Sequence, residues 1–271
     1  MTFAQRLADR VAQLGALCVG IDPHPAVIER WGQPYSVAGL EAVSLGMVAA
    51  LADRVAVFKP QSALYEAHGS AGIAVLERTI AAAQAAGALV VLDVKRGDIG
   101  STMEAYARAY LTDGSPLAAD AVTVSPYLGF GSLRPAFDAA HASGRGVYLL
   151  ARTSNPEGGE VQQAVRADGR TVVQAMVDDA AAVNEASGQN AIGLVIGATH
   201  RDPGCDLSRF TGSVLAPGVG AQGGRIADLP EIFGPAAGQV LATVSREVLL
   251  AGPEPQALEA AVARLVTSQV S

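Results

Sequence analysis

The stretch Ala88-Leu89-Val90-Val91-Leu92-Asp93-Val94-Lys95 runs apolar for five residues and then ends in charges. A strand with one wet face alternates apolar and polar residues, whereas a strand covered on both faces reads as a continuous apolar run. This stretch is of the second kind, which predicts a parallel sheet with helices over its outer surface. Seven further runs share its character: Ala16 to Ile21, Val55 to Phe58, Ala121 to Val124, Gly146 to Leu150, Ala191 to Ile196, Ser213 to Leu215 and Gln239 to Val244. Between them, amphipathic Ala-rich segments predict helices over Gly39 to Ala52, Ala71 to Ala85, Ser101 to Leu111, Leu133 to Ala142 and Gly169 to Ala186, and Pro255 to Val270 closes the chain. Alternation of strand and helix is the mark of βαβ units. Eight strand-helix pairs in 271 residues fit an α/β fold, a single (β/α)8 TIM barrel, because a doubly wound sheet usually stops at about five or six strands. No linker, low-complexity tract or charge block divides the chain, so residues 1–271 are read as one barrel domain.

Composition narrows the function. Lys and Arg number 19 against 26 Asp and Glu, a net charge of −7, which removes the electrostatic basis for binding nucleic acid or an anionic membrane surface. No apolar run approaches the ~18 residues of a membrane span. The longest, Ile80 to Leu92, is broken by Gln84 and stopped by Asp93. Arg6, Asp9 and Arg10 stand where a signal peptide keeps its apolar stretch, so a cytoplasmic protein is expected. Cys18 and Cys205 make no metal or redox spacing and read as buried thiols in a reducing compartment.

In a barrel the chemistry lies at the C-terminal ends of the strands, so the polar residues that end each run carry the information. The first run ends in Asp22, the second in Lys59, the third in Asp93 and Lys95 with Asp98 just beyond, and the eighth in Ser245 and Arg246. Asp93 and Lys95 are two apart and point to one side of an extended strand end, where Lys59 of the neighbouring strand would join them. Buried charges persist only when paired. A structural ion pair at the rim would satisfy this for Asp93 and Lys95 alone; the further charges at other strand ends favour a reactive site. A second cluster, Gly218-Val219-Gly220-Ala221-Gln222-Gly223-Gly224, follows the seventh run. Loops after strands seven and eight of many barrels hold a phosphate, and Arg246 could grip two phosphate oxygens. The same glycines spell GxGxxG, a dinucleotide fingerprint, although too little chain follows to complete a Rossmann unit, and a turn without ligand is a third reading.

The remaining signals are negative or bland. His24, His68, His141 and His200 show no HxH or HExxH spacing and read as loop or interface residues. GxSxG and GxxxxGK[ST] are absent. Trp31, among Pro and Gly residues, reads as packing, with a lid as the lesser alternative. The polar stretch Asn155 to Arg170 follows the fifth run, where a long loop would cover the active face.

Asp93-Val94-Lys95-Arg96-Gly97-Asp98-Ile99 resembles the DxKxxDI signature of the orotidine 5′-phosphate decarboxylase family, in its longer subgroup. The likeness extends in order through Gly20-Ile21-Asp22-Pro23, Phe58-Lys59-Pro60, Thr153-Ser154-Asn155-Pro156, Ala216-Pro217-Gly218-Val219-Gly220 and Ser245-Arg246. The resemblance implies loss of CO2 from orotidine monophosphate to give UMP in pyrimidine biosynthesis, with no cofactor and no metal. It implies Lys95 as the proton donor to C6, Asp93 beside the leaving carboxylate, Lys59 holding Asp93 and a ribose hydroxyl, and Asp22 on the ribose. Gln222, Arg246 and the backbone near Ser245 would hold the phosphate, with Pro217 among the substrate contacts, and Ser154 or Ser125 would meet the pyrimidine. Asp98, Ile99 and Thr102 would come from the partner subunit of a homodimer with shared sites. Two rivals stand beside this reading. A magnesium-dependent phosphosugar aldolase or epimerase would be expected to carry an acid where Lys59 stands, and a noncatalytic nucleotide-binding barrel would not need Lys95 between two aspartates.

Overall fold

Cys18 and Val19 are neighbours in sequence and both fully buried, on opposite faces of one strand. That double burial, repeated around the sheet, is why the strands read as unbroken apolar runs. The computed structural model describes residues 1–268. Its strands are β1 (Leu17–Ile21), β2 (Val57–Pro60), β3 (Leu89–Arg96), β4 (Ala121–Val124), β5 (Gly146–Arg152), β6 (Ile192–Ile196), β7 (Val214–Ala216) and β8 (Val240–Val244). They are parallel and ordered as in the chain, and β8 closes on β1 through Val19 opposite Val244. Odd and even positions divide the core: Val19, Val90, Val122 and Ile192 pack outward, while Cys18, Val57, Val91, Tyr148, Leu215 and Leu241 meet inside the barrel. Continuing up the inward positions, the side chains turn polar at Asp22, Lys59, Asp93, Thr123 and Thr243, so one face of β1 to β4 and of β8 changes from core to polar cavity wall within a few residues.

Five of the expected helices form, as Val37–Leu51, Gly69–Ala85, Gly100–Leu111, Arg134–Ser143 and Val172–Ser187. The last begins three residues later than expected because Thr171 caps it, accepting from the Gln174 amide. The closing helix is Pro255–Thr267, and Val270, where it was expected to end, lies outside the described residues. The closed eight-stranded parallel barrel forms as expected, but among the described residues not every strand is followed by a helix. The connection from Ile196 to Val214 carries no helix among the described residues, and Leu207 and Phe210 cover the sheet there. From β7 to β8 there are only the short helix Leu229–Phe233 and flanking 3-10 turns. The stretch 155–170 holds a 3-10 turn, the helical turn Gly159–Gln162 and a bridge from Val165 to Thr171.

An unexpected helix, Phe3–Leu14, precedes β1 and closes the barrel from below. Its signal was the capping box Thr2-Phe3-Ala4-Gln5, whose two reciprocal hydrogen bonds both form. Phe3 meets Tyr148 edge to face at 6.1 Å between ring centroids, Arg6 pairs with the buried Asp120, and Arg10 donates to the carbonyls of Ala52 and Val55. Trp31 sits at the end of the helix Pro25–Arg30 and is buried, its indole N–H donating to the Leu249 carbonyl at 2.8 Å, as packing requires. Cys205 is half-buried, contrary to expectation, whereas Cys18 is fully buried. No helix among the described residues is long and apolar enough to cross a membrane.

Candidate active site

The register of β1, β2 and β3 places Gly20 opposite Lys59 and bridges Gln61 to Asp93, which gathers the polar ends of three strands at one point. Asp93 is almost wholly buried and would be untenable there as a bare anion. Lys59 Nζ lies 3.0 Å from its Oδ2 and Lys95 Nζ 2.6 Å from its Oδ1. Gln61 Nε2 donates to Oδ2 at 3.1 Å and Thr123 Oγ1 to Oδ1 at 2.8 Å, so both oxygens are doubly engaged. Burial by itself pushes the Asp93 carboxyl up, but the charges of Lys59 and Lys95 and the donated hydrogen bonds outweigh it and hold the group well below the usual carboxylate range. Burial by itself pushes Lys59 down, and the charges of Asp93 and Asp22 reverse this and hold the ammonium above its usual value. Asp93 and Lys59 are therefore both charged throughout the ordinary pH range.

The contact between Asp93 and Lys95 forms as expected, but not on an extended strand. Lys95 has φ of 46°, in the left-handed region, and the pairing of β3 with β4 shifts register between Leu92 and Arg96. A lysine costs energy in that region, and such outliers cluster where a site over-determines them.

A cavity of about 370 Å³ opens above the array. Asp22, Lys59, Asp93, Lys95, Ser154, Pro217, Gln222, Ser245 and Arg246 all line it. Its wall is charged on β1 to β3 and apolar on β5 to β7, through Leu150, Val195 and Leu215. Two buried polar atoms here, Asp22 Oδ1 and Ser245 Oγ, have no hydrogen bond among the described residues and remain available to a ligand. Gly20 allows β1 and β8 to approach, since a Cβ there would lie 2.8 Å from Ser245 Cβ and 2.9 Å from Asp22 Oδ2. Below, burial pushes the Cys18 thiol up to about 12, so it stays a neutral filler.

The glycine loop after β7 folds on itself: Gly220 donates to Gly224 and Gly224 to Gly218, at 2.8 and 2.9 Å. Gly218 has φ of +98°, and a Cβ on it would meet Thr199 Cγ2 at 2.8 Å. The loop belongs to a closed barrel, not to a Rossmann unit, which disposes of the dinucleotide reading.

Asp98, Ile99 and Thr102 lie beyond the end of β3 and do not line the cavity of their own chain. Asp98 accepts from the Ile99 amide, and Ile99 is 62% exposed. Tyr127 and Leu128, in the loop after β4, are also exposed. Ser125 does not line the cavity either; its amide donates to Arg96 and it packs against Gly97.

Several cavity residues carry no site role in the sequence: Gln61, Thr123 and Thr243 stand out in no motif, His24 reads as a loop residue, and Thr153 and Asn155 only flank Ser154. Period two was the available signal, since Gln61 follows Lys59 on the inward parity and Thr123 is the polar residue within Ala-Val-Thr-Val.

Known proteins resemble the chain over nearly its full length. The chain is 56% identical over 266 residues to an orotidine 5′-phosphate decarboxylase of Salinispora arenicola, covering 98% of this chain and 96% of the relative. A relative of the same description from Streptomyces coelicolor is 54% identical, with 97% and 95% covered. A crystal structure from Streptomyces avermitilis, provisionally described as an orotidine 5′-phosphate decarboxylase, superposes with a TM-score of 0.95 at 54% identity, covering 99% of this chain and 95% of that one. An OMP decarboxylase structure from Leishmania donovani has a TM-score of 0.79 at 28% identity, with both chains fully covered. The sequence profile of one family matches residues 15–261, nearly the whole barrel, and with these relatives it establishes that the chain belongs to the orotidine 5′-phosphate decarboxylase / HUMPS family.

Proposed function

We propose that the protein decarboxylates orotidine 5′-monophosphate to UMP and CO2, a step of pyrimidine biosynthesis, without a cofactor. The observation that carries this reading is the alternating row Lys59, Asp93, Lys95 at the floor of a cavity that also holds Gln222 and Arg246. Breaking the bond from C6 to the carboxylate leaves an electron pair in an sp² orbital that the ring cannot delocalise. Stabilisation must then be electrostatic and set up in advance. The Lys95 ammonium supplies it and then passes its proton to C6, while the bond electrons released by CO2 form the new C–H bond. Asp93, kept anionic by its four donors, faces the departing carboxylate. Lys59 and Asp22 take the ribose hydroxyls, Gln222, Ser245 and Arg246 the phosphate, and Ser154 and Pro217 the base, which rests on the apolar wall. Binding at the phosphate, remote from C6, offsets the cost of ordering the site.

In a homodimer, Asp98, Ile99 and Thr102 of each subunit complete the other's site; the exposure of Ile99, Tyr127 and Leu128 on the loops after β3 and β4 supports this. The unpaired thiols of Cys18 and Cys205 fit a cytoplasmic enzyme. The magnesium-dependent rival needs carboxylate oxygens free to bind a cation, and those of Asp93 are taken by two lysines, Gln61 and Thr123. The test is the absorbance change of orotidine monophosphate on conversion to UMP, followed after treatment with EDTA. Turnover that survives chelation is expected. Loss on chelation with recovery on adding Mg²⁺ would turn the assignment toward the aldolase or epimerase.

A further inference from the structure

The hydroxyl of Thr123 is fully used. It accepts from the backbone N–H groups of Val94 at 3.1 Å and Lys95 at 2.9 Å, and it donates to Asp93 Oδ1 at 2.8 Å. One donor and two acceptor positions are all that a hydroxyl has. Consecutive N–H groups of an extended strand point to opposite edges, so their convergence on one oxygen marks a break in the strand. The break falls inside the register shift between Leu92 and Arg96, and the next residue along, Lys95, takes φ of 46°. Thr123 is 1% exposed and stands on β4, the strand beside β3, with its hydroxyl at the floor of the cavity.

We propose that Thr123 is the positioning residue of the charge array: one hydroxyl fixes both the backbone from which Lys95 springs and the carboxylate oxygen that Lys95 Nζ meets. The inference rests on the reading of Lys95 as the group that serves C6. Reach and direction of the ammonium are then set from the neighbouring strand, and the left-handed turn at Lys95 is held by hydrogen bonds that valine, of nearly the same shape, could not make. Serine keeps all three.

The test compares wild type, Thr123→Val and Thr123→Ser in orotidine monophosphate turnover, with the Kd for UMP measured by calorimetry. Thr123→Val should lower kcat by about tenfold or more, since a small misplacement of a reacting group is costly. Its Kd for UMP should stay within about threefold, because binding at the phosphate and ribose is untouched. Thr123→Ser should restore kcat to within about threefold of wild type. A packing role alone would lower thermal stability and leave kcat in place. A folded Thr123→Val protein with wild-type kcat therefore overturns the inference, as does a Thr123→Ser protein as impaired as Thr123→Val. Should Thr123→Val not fold, hydrogen exchange at the Lys95 amide in Thr123→Ala replaces it, with faster exchange expected and unchanged exchange overturning the proposal. A wild type without activity on orotidine monophosphate would overturn the functional reading, and the inference with it; an active wild type matched by Thr123→Val overturns the inference alone.

Discussion

Lys59 and Lys95 share one carboxylate but differ in setting, with side-chain exposures of 8% and 45%. Their removal should therefore have different signatures. An ammonium about 4 Å from a developing carbanion is worth roughly 4 kcal/mol at an effective dielectric of 20, so Lys95→Ala should lower kcat by about a thousandfold. It should cost only about 1 kcal/mol of stability, because the lost pair is half exposed and Asp93 keeps its other partners. Lys59→Met strips a buried pair and should cost about 3 kcal/mol in urea unfolding. Near wild-type turnover in a folded Lys95→Ala protein would remove that residue from the chemistry. The same charges set a pH window. Asp93 is depressed in the folded state, so its contribution is present above the unfolded value of about 4 and disappears as pH falls toward the folded one. Lys59 is raised, so its contribution is present below about 10.4 and disappears as pH climbs through the folded value. Stability in urea should thus decline on either side of this plateau, with the acid decline flattened in Asp93→Asn. The charged residues were legible in the sequence because they terminate apolar runs. Thr123 was not, since threonine inside a strand reads as an ordinary β-former, and Gln61 was hidden behind Pro60.

At the scale of elements, β7 and β8 bring their loops to the cavity where β1 and β8 come close at Gly20. Arg246→Ala should reduce kcat/KM for the nucleotide by at least the ~1.5 to 3 kcal/mol of a charged hydrogen bond, and far less for the nucleoside orotidine. Equal losses on both substrates would detach Arg246 from the phosphate. Every strand was legible from its apolar run, because burial on both faces leaves a plain signal. The outer ring was less so. Helices were expected wherever Ala-rich segments intervened, yet the connections flanking β7 are covered by single side chains such as Leu207 and Phe210 and by short turns, which have no period to detect. The helix Phe3–Leu14 was passed over because its charges were weighed against a signal peptide and not against a capping box.

For the molecule as a whole, the proposed sharing of sites makes a prediction that no single subunit can satisfy. Lys95→Ala and Asp98→Ala proteins should each be nearly inactive. When they are mixed so that subunits exchange, each hybrid has one doubly defective site and one native site, and random pairing restores about one quarter of all sites. Mass spectrometry should first show the hybrids; activity that then remains at the level of the separate mutants refutes sharing. The barrel's two ends are also unequal. The floor is locked by Phe3, by the pair of Arg6 with Asp120 and by Arg10, while β7, three residues long, is the shortest strand and lies between connections without a long helix. Local opening draws on the regions with least to hold them, and here that is the sector bearing the glycine loop. The charge row on β2 and β3 thus lies on strands followed by the long helices Gly69–Ala85 and Gly100–Leu111, while Gln222, a proposed phosphate contact, follows the strand with the least helical cover, so that a movement of that loop would leave the spacing of the charges unchanged.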